Sequence, residues 1–189
     1  VLAQTSRLQR TREDAESNLP HPPAPPTYRP IWRHEATVTG IPRNTRTAYQ
    51  VTSVREDGQT VSSRQFTLAT APSPGQPMTI LLTSDHQLKP MVAANLQKVQ
   101  ETAGQVDLVL VAGDLVDVPD RASEWFDDAA GGAFFPALQG LAHYDLTKGN
   151  HTRRYRGGEI IQHAPLYTAL GNHEVMGRFS LSRTLKEQF

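Results

Sequence analysis

Three short polar clusters in this sequence contain residue types that bind metal ions and transfer protons. The first is Asp85 with residues 86–87, the second is Asp114 within residues 113–117, and the third is residues 171–174. Each cluster directly follows a short apolar run, so each is expected at the end of a strand. A single Asp in such a place is more often a helix cap or a turn residue than a ligand. Three clusters in succession favour a shared site instead.

The residue types in these clusters point to a bound cation. Carboxylates that converge at one place repel each other and lose hydration, so a cation is needed to offset their charge. The clusters supply the carboxylates of Asp85 and Asp114, together with amide side chains and histidines. Oxygen donors combined with imidazole suit Mn, Fe or Zn better than Ca alone. The sequence therefore predicts a metal site made of strand-end residues.

The elements that would position these clusters alternate between strands and helices. The strands, identified as short apolar runs, are expected at residues 78–83, 106–111 and 165–170. The helices are expected at residues 90–103, 121–128 and 136–141. The first helix has Pro90 near its start and Gly104 just past its end, as helix termini often do. This order predicts an α/β fold with a largely parallel sheet, whose strands bring their polar residues to one edge.

The residues ahead of this α/β part divide into two segments. Residues 1–30 are polar and then proline-rich, which favours extended, unpaired backbone and indicates a linker. Residues 31–71 alternate polar and apolar side chains with period two, and Asp57 followed by Gly58 is typical of a hairpin turn. About forty residues are too few for a complete β-sandwich, which takes ~100. We therefore expect a partial all-β module, followed by an α/β domain over residues 78–189.

The composition excludes several classes of function. The chain of 189 residues has 19 basic and 19 acidic residues, so no global field favours a polyanion and no nucleic-acid partner is expected. It has no cysteine, which excludes disulfides, zinc fingers and cysteine nucleophiles. No apolar run approaches the roughly 20 residues that span a bilayer. A small-molecule substrate remains, and the oligomeric state is not indicated.

A second Gly-Asn-His sequence, at residues 149–151, lacks the context of the third cluster. No buried strand is predicted ahead of it, and residues 153–156 behind it are largely basic. We interpret this region as a solvated loop. His143 and His163 are expected to be structural or exposed. Trp125, Phe134 and Phe135 are expected to fill the core beneath the segment that separates the second and third clusters, rather than to form a stacking platform.

With these clusters the sequence resembles the calcineurin-like metallophosphoesterases, whose first three motifs are D-x-H, G-D-x-x-D and G-N-H-[DE]. The second motif matches at residues 113–117 and the third at residues 171–174. The first departs from the pattern, because Gln87 stands where the family has histidine and His86 comes one place early. The resemblance covers residues 78–189 and implies the start of that family's αββα sandwich. The preceding strands are similar to the end of the fibronectin-type-III-like module of purple acid phosphatases.

The resemblance implies a binuclear site that takes two divalent metal ions, of Mn, Fe or Zn, and hydrolyses phosphate monoesters or diesters. The implied metal ligands are Asp85, Gln87, Asp114 and Asn172. Asp114 would bridge the two ions. Gln87 offers an amide oxygen, which is a weaker donor than imidazole. His86 is the alternative ligand, although alternation along an extended backbone directs it away from the site.

The same resemblance implies roles for three residues that are not ligands. His173 would stabilise the transition state or protonate the leaving oxygen, with Glu174 as the partner that orients or charges its ring. Glu174 could also be a simple acidic residue at a helix start. Asp117 would accept a hydrogen bond behind the ligands or cap a helix. Purple acid phosphatases have a metal-binding tyrosine at this last position, so relatives with ordinary divalent metals match better.

The family's remaining ligands, a lone histidine and a G-H-x-H motif, are not found after Glu174. We therefore expect the chain to be a fragment of a parent phosphoesterase, poorly soluble alone and without hydrolase activity. Two alternatives stay open: a non-catalytic relative that binds through the β module, and a metal-dependent nuclease of the same superfamily. The likeness of the proline-rich segment and β module to secreted relatives favours an extracytoplasmic location.

Overall fold

The computed structural model describes residues 1–175, so the last predicted residues of the α/β domain, 176–189, lie outside the described residues. The first part of the chain consists of short strands: β1 (Gln4–Leu8), β2 (Arg12–Glu13), β3 (Thr27–Tyr28), β4 (Ile31–Glu35), β5 (Arg46–Tyr49), β6 (Thr52–Val54), β7 (Thr60–Ser62) and β8 (Phe66–Ala69). The second part combines strands with helices: β9 (Ile80–Thr83), α1 (Val92–Ala103), β10 (Leu108–Val111), α2 (Ala122–Phe126), α3 (Phe134–Leu138), β11 (Tyr144–Lys148), β12 (His151–Tyr155), β13 (Leu166–Thr168) and α4 (Asn172–Val175).

Much of the backbone of residues 1–30, which was predicted to be an unpaired linker, is paired and anchored. β1 pairs antiparallel with β4, and β2 pairs antiparallel with β3. Ser123 of α2 donates hydrogen bonds from its backbone N–H and its hydroxyl to Glu13, 110 residues away in sequence. The expectation of unpaired backbone is therefore wrong here, because composition reports local preference while these partners are distant. The division of the chain into domains stays a prediction.

The strands β5 to β8 form two nested antiparallel pairs. β5 pairs with β8, and the two strands between them in sequence, β6 and β7, pair with each other. Gly58 lies in the turn between β6 and β7 with φ of 81°, a left-handed value that glycine adopts without strain. This confirms the predicted hairpin turn. The likeness to a fibronectin-type-III module stays a prediction.

The second part is organised around a parallel sheet with the strand order β13-β10-β9. Val109 of the central strand β10 lies opposite Leu81 on one side and Leu166 on the other. Val109 and Val111 are buried, as expected for a central strand covered on this face. Because the three strands run in the same direction, their carboxyl ends meet at one edge of the sheet.

The helix α1 covers one face of this sheet. Its buried residues Ala93 and Leu96 belong to the core with Val109 and Val111. The helix ends at Gly104, as the sequence predicted, and the backbone N–H of Gly104 donates to the carbonyl of Gln100.

None of the helices described within residues 1–175 has the length and apolar character of a membrane span.

The strand β9 is less buried than its sequence predicted. Residues 78–83 were expected to form a buried strand, but Ile80 and Leu82 are 48% and 69% exposed. β9 is the edge strand of the three, and alternate side chains of a strand point to opposite faces. Ile80 and Leu82 therefore lie on the face that α1 does not cover.

The segment between β10 and β13 supplies the rest of the core. The rings of Trp125 and Phe134 meet edge to face at 5.5 Å, and Phe135 packs against both, as predicted. β11 and β12 form an antiparallel hairpin, in which Arg154 donates two hydrogen bonds to Asp145. The second Gly-Asn-His sequence is in the exposed turn of this hairpin and at the start of β12. Residues 153–155, which were interpreted as a solvated loop, are in the strand β12.

Leu138 of α3 provides a test of this core. Its side chain is fully buried, so Leu138→Ala leaves a cavity and is expected to lower the free energy of unfolding by about 2–5 kcal/mol. Leu141→Ala is the matched control, because Leu141 is 68% exposed and its loss is expected to change stability by less than about 0.5 kcal/mol. Urea titration measures both values. Equal effects of the two substitutions would contradict the described packing.

Candidate active site

The three predicted polar clusters follow β9, β10 and β13, so all three lie at the carboxyl edge of the parallel sheet. Backbone hydrogen bonds join the first two clusters. The N–H of Asp85 donates to the carbonyl of Gly113 at 3.2 Å, and the N–H of Gln87 donates to the carbonyl of Leu115 at 3.2 Å. The strand-end loops are therefore paired with each other beyond the end of the sheet.

The backbone at these loops adopts left-handed conformations that side-chain-bearing residues rarely take. The φ angles are 54° at Asp85, 41° at Gln87, 54° at Leu88 and 55° at Asp114. Each such residue costs of order 1–3 kcal/mol, and strain of this kind concentrates at functional sites where the surrounding structure holds it in place. Three of the four predicted ligands, Asp85, Gln87 and Asp114, therefore have unusual backbone geometry as well as a shared edge.

The carboxylate of Asp114 is the meeting point of the three clusters. Its Oδ2 accepts a hydrogen bond from Gln87 Nε2 at 3.0 Å, and its Oδ1 accepts one from the backbone N–H of His173 at 3.1 Å. A Cβ added at Gly171 would overlap Asp114 Oδ1 and would lie 2.8 Å from Asp114 Cγ. Gly171 thus lets the third cluster approach Asp114 as closely as it does.

Two more predicted ligands, Asn172 and Asp85, are placed near this carboxylate by neighbouring residues. Asn172 begins α4 between Gly171 and His173, both of which contact Asp114. Asp85 is placed by its hydrogen bond to Gly113, the residue before Asp114. The described contacts therefore bring all four predicted ligands to one edge, and Gln87 into direct contact with Asp114.

Glu174 has a different set of contacts from the predicted one. Its side chain is fully buried, and its oxygens accept hydrogen bonds from the backbone N–H groups of Gly171, Asp114 and Leu115 at 2.7–2.9 Å. A buried carboxylate needs such partners, since burial without them is strongly unfavourable. These contacts make Glu174 an anchor of the loop after β10. The sequence analysis had predicted that Glu174 would be the partner of the His173 ring.

The ring of His173 instead contacts Asp117. The Nδ1 atom lies 2.9 Å from the backbone carbonyl oxygen of Asp117 and 3.3 Å from its carboxylate Oδ1. A carbonyl oxygen only accepts, so Nδ1 carries the hydrogen of this contact. Asp117 therefore fixes the orientation of His173, which is the positioning role that the sequence analysis assigned to Glu174.

The described contacts of the His86 ring are with residues outside the predicted ligand set. It is only 4% exposed, its Nε2 lies 3.1 Å from Thr83 Oγ1, and its ring packs 5.6 Å from the ring of Phe134. Burial lowers the pKa of His86 to about 4, against the opposing effect of the nearby Asp85 carboxylate. This placement does not favour His86 as the alternative ligand.

One further residue beside the site was missed by the sequence analysis. Glu124 of α2 is buried, and its Oε2 accepts the backbone N–H groups of Asp117 and Val118, both at 2.8 Å. Burial raises the pKa of Glu124 to about 7, although the N–H of Val118 opposes this. Its only sequence signal is an acidic residue in the first turn of a short helix, which is common.

The donor set at Asp114 fits divalent cations bound mainly through oxygen. Within residues 1–175 no group of three or more His, Asp or Glu side chains is arranged to hold a metal ion. The strand-end set contains two carboxylates, and its other members are the amides of Gln87 and Asn172. Each oxygen of Asp114 accepts one described hydrogen bond and has a further lone pair for a cation. The residues present therefore suit hard or borderline divalent ions.

The family profile described as calcineurin-like phosphoesterase matches residues 78–188, which is more than half of the chain. The chain belongs to the calcineurin-like phosphoesterase family. This confirms the family that the motifs indicated and the predicted fold class, an α/β phosphoesterase domain start preceded by a β-rich region. No curated protein sequence matches the chain significantly.

A solved structure resembles this phosphoesterase chain over nearly its whole length. It is the purple acid phosphatase PPD1 from yellow lupin (Lupinus luteus) seeds, with a TM-score of 0.51 and 18% sequence identity. The match covers 98% of this chain and 30% of the lupin chain. At this identity the likeness concerns the fold, and it extends to the β-rich region ahead of the phosphoesterase domain.

Glu174→Gln tests whether the buried carboxylate anchors the site. The amide has one acceptor oxygen in place of two, so at least one of the three buried N–H groups loses its acceptor, and the free energy of unfolding is expected to fall by about 1.5–3 kcal/mol. Glu101→Gln on the solvent side of α1 is the matched control, expected within about 0.5 kcal/mol of wild type. Denaturant titration measures both. No difference between the variants would contradict the anchoring role.

Proposed function

We propose that this chain provides the first half of the binuclear metal site of a longer phosphoesterase, which hydrolyses phosphate monoesters or diesters. The observation that carries the proposal is the Asp114 carboxylate, on which Gln87, Gly171 and His173 converge from the other two strand ends. The family membership supports hydrolysis of a phosphoester as the reaction class. The chain spans 30% of the lupin structure, so the activity belongs to the proposed parent protein.

In this proposal Asp114 bridges two divalent ions of Mn, Fe or Zn. Asp85 and Gln87 bind the first ion, and Asn172 binds the second through its amide oxygen. When bound, the two ions would offset the negative charge of the phosphoryl group and activate a water molecule for attack. Gln87 would contribute its Oε1, because its Nε2 donates to Asp114. A neutral amide binds more weakly than imidazole, so we expect the first ion to exchange more easily.

His173 is proposed to act on the leaving group. Its Nδ1 hydrogen is held by Asp117, so Nε2 is the ring nitrogen that we assign to the reaction. A proton at Nε2 could then be given to the leaving oxygen or hydrogen-bonded to the phosphoryl group. The Asp117 carboxylate near Nδ1 stabilises the positive charge that the ring carries in that state. Glu174 serves this step indirectly, because it anchors the loop that contains Asp114.

The net charge of the chain bears on the class of substrate. The balanced charge of the chain argues against a nucleic acid as the substrate, so a small phosphoester is preferred over a polymer. An extracytoplasmic location is also proposed, on the resemblance of the β-rich region to secreted relatives.

The experiment is hydrolysis of para-nitrophenyl phosphate and of its bis ester by the parent protein, stripped of metal and resupplied with Mn²⁺, Fe²⁺ or Zn²⁺. We expect metal-dependent turnover, and loss of about 100-fold or more in Asp114→Asn, because the amide cannot bridge two cations. Asp145→Asn on the exposed hairpin is the control and is expected to retain activity.

Two results would contradict the proposal. Turnover that does not depend on added metal would exclude the binuclear chemistry. Metal-loaded parent protein without turnover of either ester, or of other phosphoesters, would favour the non-catalytic relative.

A further inference from the structure

The N-terminal arm, defined as residues 10–29, is bound to the site loop, defined as residues 117–129, by buried polar contacts. Glu13 is 5% exposed and accepts both the backbone N–H and the hydroxyl of Ser123 at 2.8 Å. Arg29 donates to the same carboxylate at 3.0 Å and also pairs with Asp127. One arm carboxylate thus holds the start of α2.

Further contacts extend along both segments. Arg121 donates through Nε to Asp14 at 3.0 Å and through a terminal nitrogen to Glu16 at 2.6 Å. Arg10 pairs with Asp120 at 3.1 Å, with both side chains less than a tenth exposed. Three more hydrogen bonds join the two segments. The N–H of Arg12 donates to the carbonyl of Asp120, Nδ2 of Asn18 donates to the Asp128 carboxylate, and the N–H of Ala129 donates to the carbonyl of Asn18. The site loop is therefore held by the arm along most of its length.

Glu124 connects the arm contacts of the site loop to the proposed active site. The Arg121 guanidinium lies 3.6 Å from Glu124 Oε1, and Glu124 Oε2 accepts the N–H groups of Asp117 and Val118. Asp117 in turn holds His173 Nδ1 with its backbone carbonyl. A continuous chain of polar contacts runs from Asp14 through Arg121, Glu124 and Asp117 to His173, and its contacts as far as Asp117 involve a charged side chain.

Stability alone is a weak reason for such a network. Burying charged groups removes their hydration, and apolar packing of the same volume is often as stable or more so. Charged hydrogen bonds do, however, impose defined distances and directions on the groups they join. The arrangement is therefore suited to fixing the position of the backbone at residues 117–118.

We propose that Glu124 is a positioning residue that sets the orientation of the His173 ring through Asp117, and that the N-terminal arm locks Glu124 in place through Arg121. The inference rests on the proposed function, in which His173 acts on the leaving group. The arm is then part of the active site, although its last residue, 29, lies 49 positions before residue 78, where the family match begins.

The test compares Glu124→Ala with Glu124→Gln in the metal-loaded parent protein. The alanine variant loses both backbone acceptors, so kcat is expected to fall about tenfold while KM changes less than twofold. The glutamine oxygen can still accept both N–H groups, so this variant is expected to restore kcat to within about threefold of wild type. Arg121→Ala keeps both acceptors of Glu124 but removes the ion pair with it and the contacts to Asp14 and Glu16, so its kcat is expected to lie between those of the two Glu124 variants. Glu101→Ala on α1 is the control and should match wild type.

Hydrogen exchange of the backbone amides supplies a readout that does not require activity. Exchange at Asp117 and Val118 is expected to accelerate about tenfold in Glu124→Ala and by a smaller factor in Arg121→Ala, with exchange in α1 unchanged. If the wild type has no hydrolase activity, the proposed function fails while this exchange result still decides the positioning link. Unchanged exchange at residues 117–118 would overturn the inference. Uniformly faster exchange over the whole protein, with equal loss of kcat in the alanine and glutamine variants, would also overturn it by indicating only a stabilising role.

Discussion

The buried carboxylate of Glu174 is the interaction on which the site depends. It accepts N–H groups from Gly171 on its own loop and from Asp114 and Leu115 on the loop after β10. Parallel strands bring these loops to the same edge of the sheet, but they do not determine the distance between them. Three charge-assisted hydrogen bonds to one fully buried group do determine it. The same contacts help to hold Asp114 at its left-handed φ of 55°.

From this anchor the rest of the site follows by short contacts. Asp114 is placed so that it accepts the amide of Gln87 and the backbone of His173, and His173 is placed so that its ring meets Asp117. Asp117 is held from behind by Glu124, and Glu124 by Arg121. The site edge is thus supported from two directions: by the loop after β13 on one side and by the N-terminal arm on the other.

The sequence predicted those features that depend on neighbouring residues. Short apolar runs ending in polar clusters indicated the parallel sheet, and Gly104 indicated the end of α1, because strand and helix signals are local. The expectation of unpaired backbone in residues 1–30 was wrong because the partners of this segment, such as Arg121 for Asp14, lie up to 110 residues away. The role of Glu174 was also missed, since a motif specifies a residue type but not the three N–H groups it accepts. The exposure of Leu82 depends on which face of the sheet is covered, which periodicity does not report.

The central claim is that two metal ions share Asp114 at the carboxyl edge of this sheet. The most direct measurement is anomalous diffraction from crystals of the parent protein soaked with Zn²⁺. The account predicts two anomalous peaks that both contact the Asp114 carboxylate, one of them also bound by Asp85 and the other by Asn172. Peaks located only elsewhere, or no peak at Asp114 in fully occupied crystals, would contradict the account.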